Sequence, residues 1–473
     1  MKGKLLKSFF SSGLQAIALQ VLGVVFLLIA AYYLDETEFG LINWANAVSA
    51  LVVTVIGFGM EQVVVRRIAA SSTSDWAAAA FFIHALVTSV VAWIIIYLLS
   101  GICTACPEGI RYLPLFFGAQ CFLYLVLPLK QYLNAKHIFT PYGVIAVFSN
   151  LCKIALAFWL VNSGILSIEY VALVLIGCSA LELVLLLLYV LNRTGFSFRF
   201  KYVAYQKLIK ESLPQYLSII FDSSLSRIDW ILLGLITTYA ATGGYSFAYR
   251  AYELARLPIV IIAPIILNAF ARLLASGGRL EEGKQQEVRK LFSMLVFFSM
   301  LIPITINLIW SPLLDDLFTG KYGSSNETEM LILSLCIPLQ FMINLMWTLT
   351  FSARKYKRIA AITMTVAVSN LLLNLVLIPF YGGLGAAGAY LFTTVIQGFL
   401  YYKTVARFVM KISLNVLVLF FAIAAMVYIG ISFIEMHYIL KVIVACVAYV
   451  AIALMTGKIG RSHFRMVLSY LKK

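Results

Sequence analysis

Residues 13–34 read GLQAIALQVLGVVFLLIAAYYL, a stretch that carries no charged side chain. Its length matches the ~20 residues that an α-helix needs to cross the hydrocarbon core of a bilayer. The stretch is too long for the apolar part of a signal peptide, and no convincing small-residue cleavage site precedes Asp35. We therefore expect a retained first membrane helix.

The rest of the chain repeats this pattern. Of its 473 residues, 62% are hydrophobic and 12% are charged, and the mean hydropathy is +0.96. Soluble domains carry roughly a quarter charged residues, so a soluble enzyme, a disordered protein and a disulfide-stapled secreted domain are excluded. Apolar segments of helical length predict an all-α polytopic membrane protein with 14 transmembrane helices, at residues 13–34, 40–60, 77–100, 112–133, 142–162, 169–191, 212–236, 243–270, 290–312, 329–352, 360–379, 386–406, 413–434 and 438–457.

The distribution of basic residues supports this topology. The N-terminus is placed in the cytoplasm with alternating segments, and Lys130, Lys290, Lys403 and Lys441, each in the terminal turn of a segment, are assigned to the adjacent loop. Of the 36 Lys and Arg residues, 29 then fall on the cytoplasmic side, three on the opposite side and four within the membrane. This is the asymmetry of the positive-inside rule. The formal net charge of +16 therefore reflects membrane topology, and we expect no nucleic-acid partner. Both termini are predicted to be cytoplasmic.

An internal repeat predicts two pseudo-symmetric six-helix lobes plus a C-terminal helix pair. The repeated unit is a glycine, then one predicted membrane span, then a basic residue after the span. It runs from Gly40 to Arg67 and again from Gly244 to Arg272. Because six helices, an even number, precede the second copy, the lobes share one orientation and are related by an axis along the membrane normal. The predicted divisions are an N-terminal lobe at 1–191, a basic interlobe loop at 192–211, a second lobe at 212–408 and a helix pair with a basic tail at 409–473.

The sequence offers little catalytic chemistry. It contains no phosphate-binding P-loop and no H-E-x-x-H motif, and its four histidines are far apart. We expect no catalytic residue, no metal and no cofactor, with proton or sodium coupling left open. Cys103 and Cys106 form a single C-x-x-C in a polar loop. A redox pair, a disulfide and two unpaired cysteines remain alternatives for them.

Charges within the seventh segment indicate a functional cavity. Asp222 and Asp229 are spaced i, i+7 and share one helix face, and Arg227 lies between them. An ionisable group in a membrane span costs at least a few kcal/mol, so such groups face a cavity or a charged partner. The alternative is a set of structural struts, for which Lys153 and Glu182 in neighbouring segments are also candidates.

The eighth segment carries an amphipathic stripe. Five of its residues fall within about 100° of the helix surface, with Arg250 on the flank; they are Tyr245, Tyr249, Tyr252, Glu253 and Arg256. Arginine binds phosphate through two parallel hydrogen bonds, and tyrosine offers a flat face and a hydroxyl to a sugar. We predict that Arg227, Arg250, Arg256 and the three tyrosines bind substrate, and that Glu253, Asp222 and Asp229 couple an ion.

Several motifs resemble those of the Wzx-type oligosaccharide flippases, a polysaccharide transporter family. They are YYLDETEFG at 32–40, GFGM at 57–60, RRIA at 66–69, LP at 213–214, IDWILLG at 228–234, GYSFAYR at 244–250 and PFYGGLGAAG at 379–388. Their order and spacing cover nearly the whole chain. The superfamily that contains these flippases also contains multidrug exporters and the lipid II flippase.

The resemblance implies two lobes around a cavity that opens alternately to each side of a bacterial cytoplasmic membrane. The implied substrate is a polyprenyl-diphosphate-linked oligosaccharide for surface polysaccharide, such as O-antigen of lipopolysaccharide, capsule or exopolysaccharide. The implied partners are this lipid-linked glycan, the bilayer and polysaccharide assembly proteins, with no covalent chemistry. A cation-coupled multidrug exporter is the alternative of the same fold. A membrane-embedded polymerase or ligase is disfavoured because the loops are short.

Overall fold

The computed structural model describes residues 2–70, 75–102, 108–198, 200–259 and 280–460, together with 262–263, 266–267, 270, 274 and 463, and it describes side chains from residue 18 onward. The described residues form helices and no strand. The helices are α1 (Lys2–Tyr33), α2 (Glu36–Ile56), α3 (Met60–Ala70), α4 (Trp76–Ile102), α5 (Gly109–Ala135), α6 (Thr140–Asn162), α7 (Ile168–Thr194), α8 (Tyr202–Ile236), α9 (Tyr239–Ala255), α10 (Glu282–Phe318), α11 (Glu327–Ser352), α12 (Tyr356–Phe408), α13 (Asn415–Ser432) and α14 (Tyr438–Met455).

These helices confirm the all-α polytopic membrane fold. Within the described part of the chain, ten helices are long and apolar enough to cross a bilayer, namely α2, α4, α5, α6, α7, α10, α11, α12, α13 and α14. The helices α8 and α9, with Arg256 directly after α9, contain the ionisable residues of the candidate site. The predicted segment 243–270 is helical from Gly243 to Ala255 as part of α9. Arg272, Cys103 and Cys106 lie outside the described residues.

A short helix, α3, was not predicted from the sequence. The sequence predicts one helix over 40–60 that leads to the basic residues Arg66 and Arg67. In the structure, α2 ends at Ile56 and α3 begins at Met60. Between them Phe58 and Gly59 both have left-handed backbone conformations, with φ of 51° and 65°. A left-handed residue cannot continue a right-handed helix, so the chain changes direction at the GFGM sequence.

Local sequence explains other helix boundaries. Asp35 accepts a hydrogen bond from the Glu38 backbone N–H at 2.7 Å, and the Glu38 carboxylate accepts one from the Asp35 N–H at 3.3 Å. This reciprocal capping starts α2. The predicted segments 360–379 and 386–406 lie in two helical stretches of α12, which meet at a kink where Gly382 has non-helical backbone angles (φ 54°, ψ −127°). Glycine adopts this conformation without a Cβ penalty, so α12 bends there.

The chain packs as two units that divide between Gly243 and Gly244. In the first unit, α5 is central and contacts α2, α3, α4 and α7. In the second unit, α10 contacts α11, α13 and α14, and α11 packs along α12. Tyr449 of α14 stacks on Phe297 of α10 with ring centroids 5.5 Å apart. The lobe boundaries derived from the internal repeat stay a prediction.

Candidate functional site

The second unit contains a cluster of tyrosines on one face of α9. Tyr245, Tyr249 and Tyr252 are all buried, with at most 3% of each residue exposed. Their spacing of four and three residues aligns the rings along the helix, with centroids 6.0 Å and 5.4 Å apart. Tyr390 of α12 packs edge-on against Tyr249 and Tyr252. Its hydroxyl lies 3.0 Å from that of Tyr252.

Arg256, the residue directly after the end of α9, is held by this cluster. We call Arg256 and Arg250 of α9 the α9 arginines. The Arg256 guanidinium lies over the Tyr252 ring, 5.0 Å from the centroid. One of its nitrogens, Nη1, donates to the hydroxyls of Tyr252 at 3.2 Å and Tyr390 at 3.4 Å. Among the residues that the structure describes, no carboxylate pairs with Arg256 within 4.0 Å. Its positive charge is therefore oriented by phenols and a π-face, neither of which neutralises it.

Arg250 is restrained differently. Its Nη1 donates to the Glu253 carboxylate at 3.0 Å, one helical turn away. Both side chains are about three-quarters buried, at 27% and 23% exposed. The sequence placed Glu253 within reach of both α9 arginines, and the structure pairs it with Arg250. An ion pair shielded from water is stronger than one on an open surface, so Arg250 is largely neutralised in this state.

The other three predicted site residues lie on α8 in the first unit. The Arg227 guanidinium lies over the Trp230 ring at 5.4 Å. Asp229 is buried, and its Oδ1 accepts a hydrogen bond from the Trp230 backbone N–H at 2.9 Å. Asp222 is exposed. The predicted residues therefore fall into two groups, three in the first unit and six in the second.

Lys153 and Glu182 do not form the direct ion pair that their charges suggested. Lys153 on α6 is 8% exposed and Glu182 on α7 is 4% exposed. Within the described part of the chain, neither side chain makes an ion pair within 4.0 Å. On the same two helices, the Ser149 hydroxyl donates to the backbone carbonyl of Cys178 at 2.9 Å. Charge complementarity in the sequence identified the helix pair but not the contact.

The sequence did not identify the partners of two arginines, Arg256 and Arg67. Tyr390 is 134 residues from Arg256, and Glu211 is 144 residues from Arg67. Glu211 on α8 accepts hydrogen bonds from the Arg67 guanidinium on α3. In the sequence, Tyr390 is one of many aromatic residues in apolar segments and Glu211 belongs to a basic loop. Neither position carries a local signal for its partner.

Known structures share this fold. A lipid II flippase, MurJ, in an inward closed conformation aligns with a TM-score of 0.75 at 13% identity, covering 94% of this chain and 98% of that one. An inward-facing multidrug resistance MATE family transporter of the MOP superfamily aligns at 0.67 and 12% identity, covering 82% and 94%. The Vibrio cholerae MATE transporter VcmN in its bent form aligns at 0.56 and 14% identity, covering 85% and 98%.

These identities establish a shared fold and no more. No curated protein matches the sequence significantly. The model of one protein family, described as polysaccharide biosynthesis protein, matches residues 5–271, which is more than half of the chain. The sequence motifs pointed to the same family, and the chain belongs to the polysaccharide biosynthesis protein family, with the fold of the MOP-superfamily transporters.

Proposed function

We propose that the protein is a flippase that moves polyprenyl-diphosphate-linked oligosaccharide from the cytoplasmic to the outer leaflet of a bacterial cytoplasmic membrane. Membership in the polysaccharide biosynthesis family carries this proposal. The fold shared with a lipid II flippase supports it. The glycan serves surface polysaccharide such as O-antigen, capsule or exopolysaccharide, and assembly proteins receive it at the outer face. Transport by alternating access involves no covalent step.

The substrate sets a clear electrostatic requirement. A diphosphate cannot enter a low-dielectric interior unpaired, because burying an ionised group without a partner costs many kcal/mol. The transporter must therefore present cations inside a hydrated path. In the second unit, Arg250 on α9 and Arg256, which directly follows α9, are partly buried, and Arg227 is a third candidate in the first unit.

The two α9 arginines have different roles in this proposal. Arg256 makes its hydrogen bonds to phenols through Nη1, and its Nη2 and Nε donors are assigned to phosphate oxygens. Arg250 is paired with Glu253 when the protein is empty, and phosphate replaces Glu253 on loading. The freed Glu253, or Asp222 and Asp229, then binds a proton or sodium ion that returns the carrier to its starting state.

The tyrosines support Arg256 in the conformation described here. Tyr245 and Tyr252 are 1% and 0% exposed, so a sugar does not reach their faces in this state. In our proposal they line the glycan path after α9 separates from Tyr390. The tyrosines then become exposed when the cavity changes the side of the membrane to which it opens.

Deletion of the gene in the host bacterium tests the function. Lipid-linked oligosaccharide should accumulate in the inner leaflet, and surface polysaccharide should be lost. A multidrug exporter would behave differently: its deletion would leave the glycan unchanged and sensitise the cells to cationic drugs. That second outcome would overturn the proposal.

Reconstituted vesicles test the site. Lipid-linked oligosaccharide extracted from the host is incorporated, and its exposure at the outer surface is followed over time. Arg256→Gln should slow flipping by about tenfold or more, since a hydrogen bond to a charged group contributes about 1.5–3 kcal/mol. Arg256→Lys should retain part of the rate because lysine still binds phosphate as a point charge.

Arg358 provides the matched control. It lies in the first turn of α12, and its side chain is exposed. Arg358→Gln removes the same charge from the same unit and should flip at the wild-type rate. If Arg250→Gln and Arg256→Gln both flip as fast as Arg358→Gln, the α9 arginines are structural and the site assignment fails.

A further inference from the structure

The break between α2 and α3 is held by side chains from α8. The Tyr216 hydroxyl donates to the carbonyl of Val55 at 2.6 Å, and the Gln215 amide donates to the carbonyl of Gly59. The Tyr216 ring also stacks on Phe58, with centroids 4.8 Å apart and planes 11° from parallel. We call Gln215 and Tyr216 the α8 clamp. It donates a hydrogen bond to one carbonyl on each side of the helix break.

One turn earlier, α8 contacts two adjacent arginines of α3. Arg67 donates two hydrogen bonds to the Glu211 carboxylate, and Arg66 approaches the same carboxylate at 3.6 Å. The Arg67 guanidinium also lies 5.4 Å from the ring centroid of Trp76. The Arg66 side chain is 69% exposed, whereas that of Arg67 is 19% exposed. One arginine is therefore positioned by its surroundings and the other faces solvent.

The charges around this pair do not balance. Arg67, Arg66 and Lys207 all act on Glu211, and the Arg67 hydrogen bonds, ahead of these charges, hold the pKa of that carboxyl below its ordinary value. Two guanidinium groups within 4.0 Å of one carboxylate leave an excess of positive charge at a partly exposed surface. A second anion with several oxygens can therefore bind there, and a guanidinium fork is suited to phosphate.

The two features share one face of α8. Glu211, Gln215 and Tyr216 are spaced i, i+4 and i+5, so they lie on adjacent turns of the same side of the helix. Any movement of Glu211 away from Arg67 by rotation of α8 also moves the α8 clamp. The arginine pair and the helix break are thus coupled through a single rigid element.

We propose that Arg66 and Arg67 form a loading site, at which the diphosphate of the lipid-linked substrate displaces Glu211 and releases the α8 clamp from the α2–α3 break. The site rests on the function proposed above and lies apart from the α9 arginines in the sequence. The predicted topology places residues 61–76 at the cytoplasmic face, where the substrate is made. Loading then precedes transfer to the transport site.

Binding of farnesyl diphosphate, a short lipid diphosphate, tests the loading site directly. Calorimetric titration of the full chain in detergent measures affinity without requiring transport. Arg67→Gln and Arg66→Gln should each weaken binding by about tenfold, the effect of one charged hydrogen bond. Glu211→Gln should strengthen binding severalfold because it removes the competing carboxylate. Arg193→Gln, an exposed charge at the end of α7, is the matched control and should bind as wild type.

Three results would overturn the loading site. The first is equal affinity in wild type, Arg66→Gln and Glu211→Gln; Arg66 is exposed, so its substitution leaves folding intact. The second is weaker binding by Glu211→Gln. The third is complete displacement of farnesyl diphosphate by phosphatidylglycerol at the same phosphate concentration. That result would mean that Arg66 and Arg67 bind an ordinary phospholipid headgroup.

Transport measurements separate this inference from the proposed function. If Arg66→Gln flips with an unchanged half-saturating substrate concentration while Arg256→Gln does not flip, the loading site alone fails. If vesicles that contain the wild-type protein flip no lipid-linked oligosaccharide while the variants bind farnesyl diphosphate as expected, the diphosphate site stands and the proposed function fails. A raised half-saturating concentration in Arg66→Gln, with a nearly unchanged maximal rate, supports both.

Discussion

The Tyr390 hydroxyl gives a quantitative test of how Arg256 is oriented. Tyr390→Phe removes one oxygen, which lies 3.0 Å from the Tyr252 hydroxyl and 3.4 Å from Arg256 Nη1. The aromatic ring and its edge-on packing against Tyr249 and Tyr252 remain. The substitution therefore isolates the polar contacts of the cluster from its apolar packing.

The expected cost follows from these two contacts. A neutral hydrogen bond contributes about 0.5–1.5 kcal/mol and a charged one about 1.5–3 kcal/mol. The contact with Arg256 is long, so its contribution lies at the lower end of that range. We expect Tyr390→Phe to lower the free energy of unfolding by about 2 kcal/mol and to slow flipping less than Arg256→Gln does.

Tyr381 supplies the control for this experiment. It lies on the same helix, is 63% exposed, and Tyr381→Phe should leave both stability and flipping unchanged. Thermal unfolding in detergent and flipping in vesicles are measured on both variants. If Tyr390→Phe unfolds at the same temperature as Tyr381→Phe and flips at the wild-type rate, the phenols do not orient Arg256 and the reasoning is refuted.

Three further predictions address topology, pH and the helix break. A reporter active only outside the cytoplasm should give a signal when fused after Gly323 and none after Gly283; the reverse pattern contradicts the topology. The pKa of Glu211 is lowered in the folded protein, so the ion pair between Glu211 and Arg67 stabilises the fold at any pH above the ordinary carboxyl pKa. This stabilisation is lost as the pH falls through the lowered pKa. The stability difference between wild type and Glu211→Gln should therefore be constant from pH 8 to about 5 and vanish in stronger acid. Gly59→Ala should destabilise the first unit by about 1–2 kcal/mol, because φ is +65° and a Cβ would lie 3.1 Å from Ile219; unchanged unfolding would show that the break is not constrained.

The sequence predicted the helices and their order because a bilayer imposes strong local constraints. A spanning helix must satisfy its backbone hydrogen bonds internally and must reach a fixed length. Both constraints appear as apolar runs that need no tertiary information. The same holds for the α9 stripe, whose helical period placed Tyr245, Tyr249 and Tyr252 on one face before any partner was known.

Contacts between distant segments could not be predicted in this way. Glu211 and Arg67 are 144 residues apart, and no local pattern distinguishes Glu211 from the other acids outside the apolar segments. The helix break was missed for a different reason. Phe58 adopts φ of 51°, a conformation that is uncommon for a bulky side chain, and stacking on Tyr216 accompanies it. The residue that fixes the break thus lies on another helix.

In the mechanism that we propose, the different restraints on Arg250 and Arg256 allow one site both to hold and to release an anion. A carboxylate and a phosphate compete for the same guanidinium donors, so Arg250 must leave Glu253 in order to bind substrate. A phenol does not compete in this way, because it contributes no negative charge and occupies only Nη1 of Arg256. Under the proposed function, Arg256 is therefore preorganised for phosphate, and Arg250 changes partner between the empty and loaded states. It follows that Glu253→Gln should tighten diphosphate binding through Arg250 yet slow the return of the empty carrier. Loss of the Arg256 charge should weaken binding in both directions of the cycle.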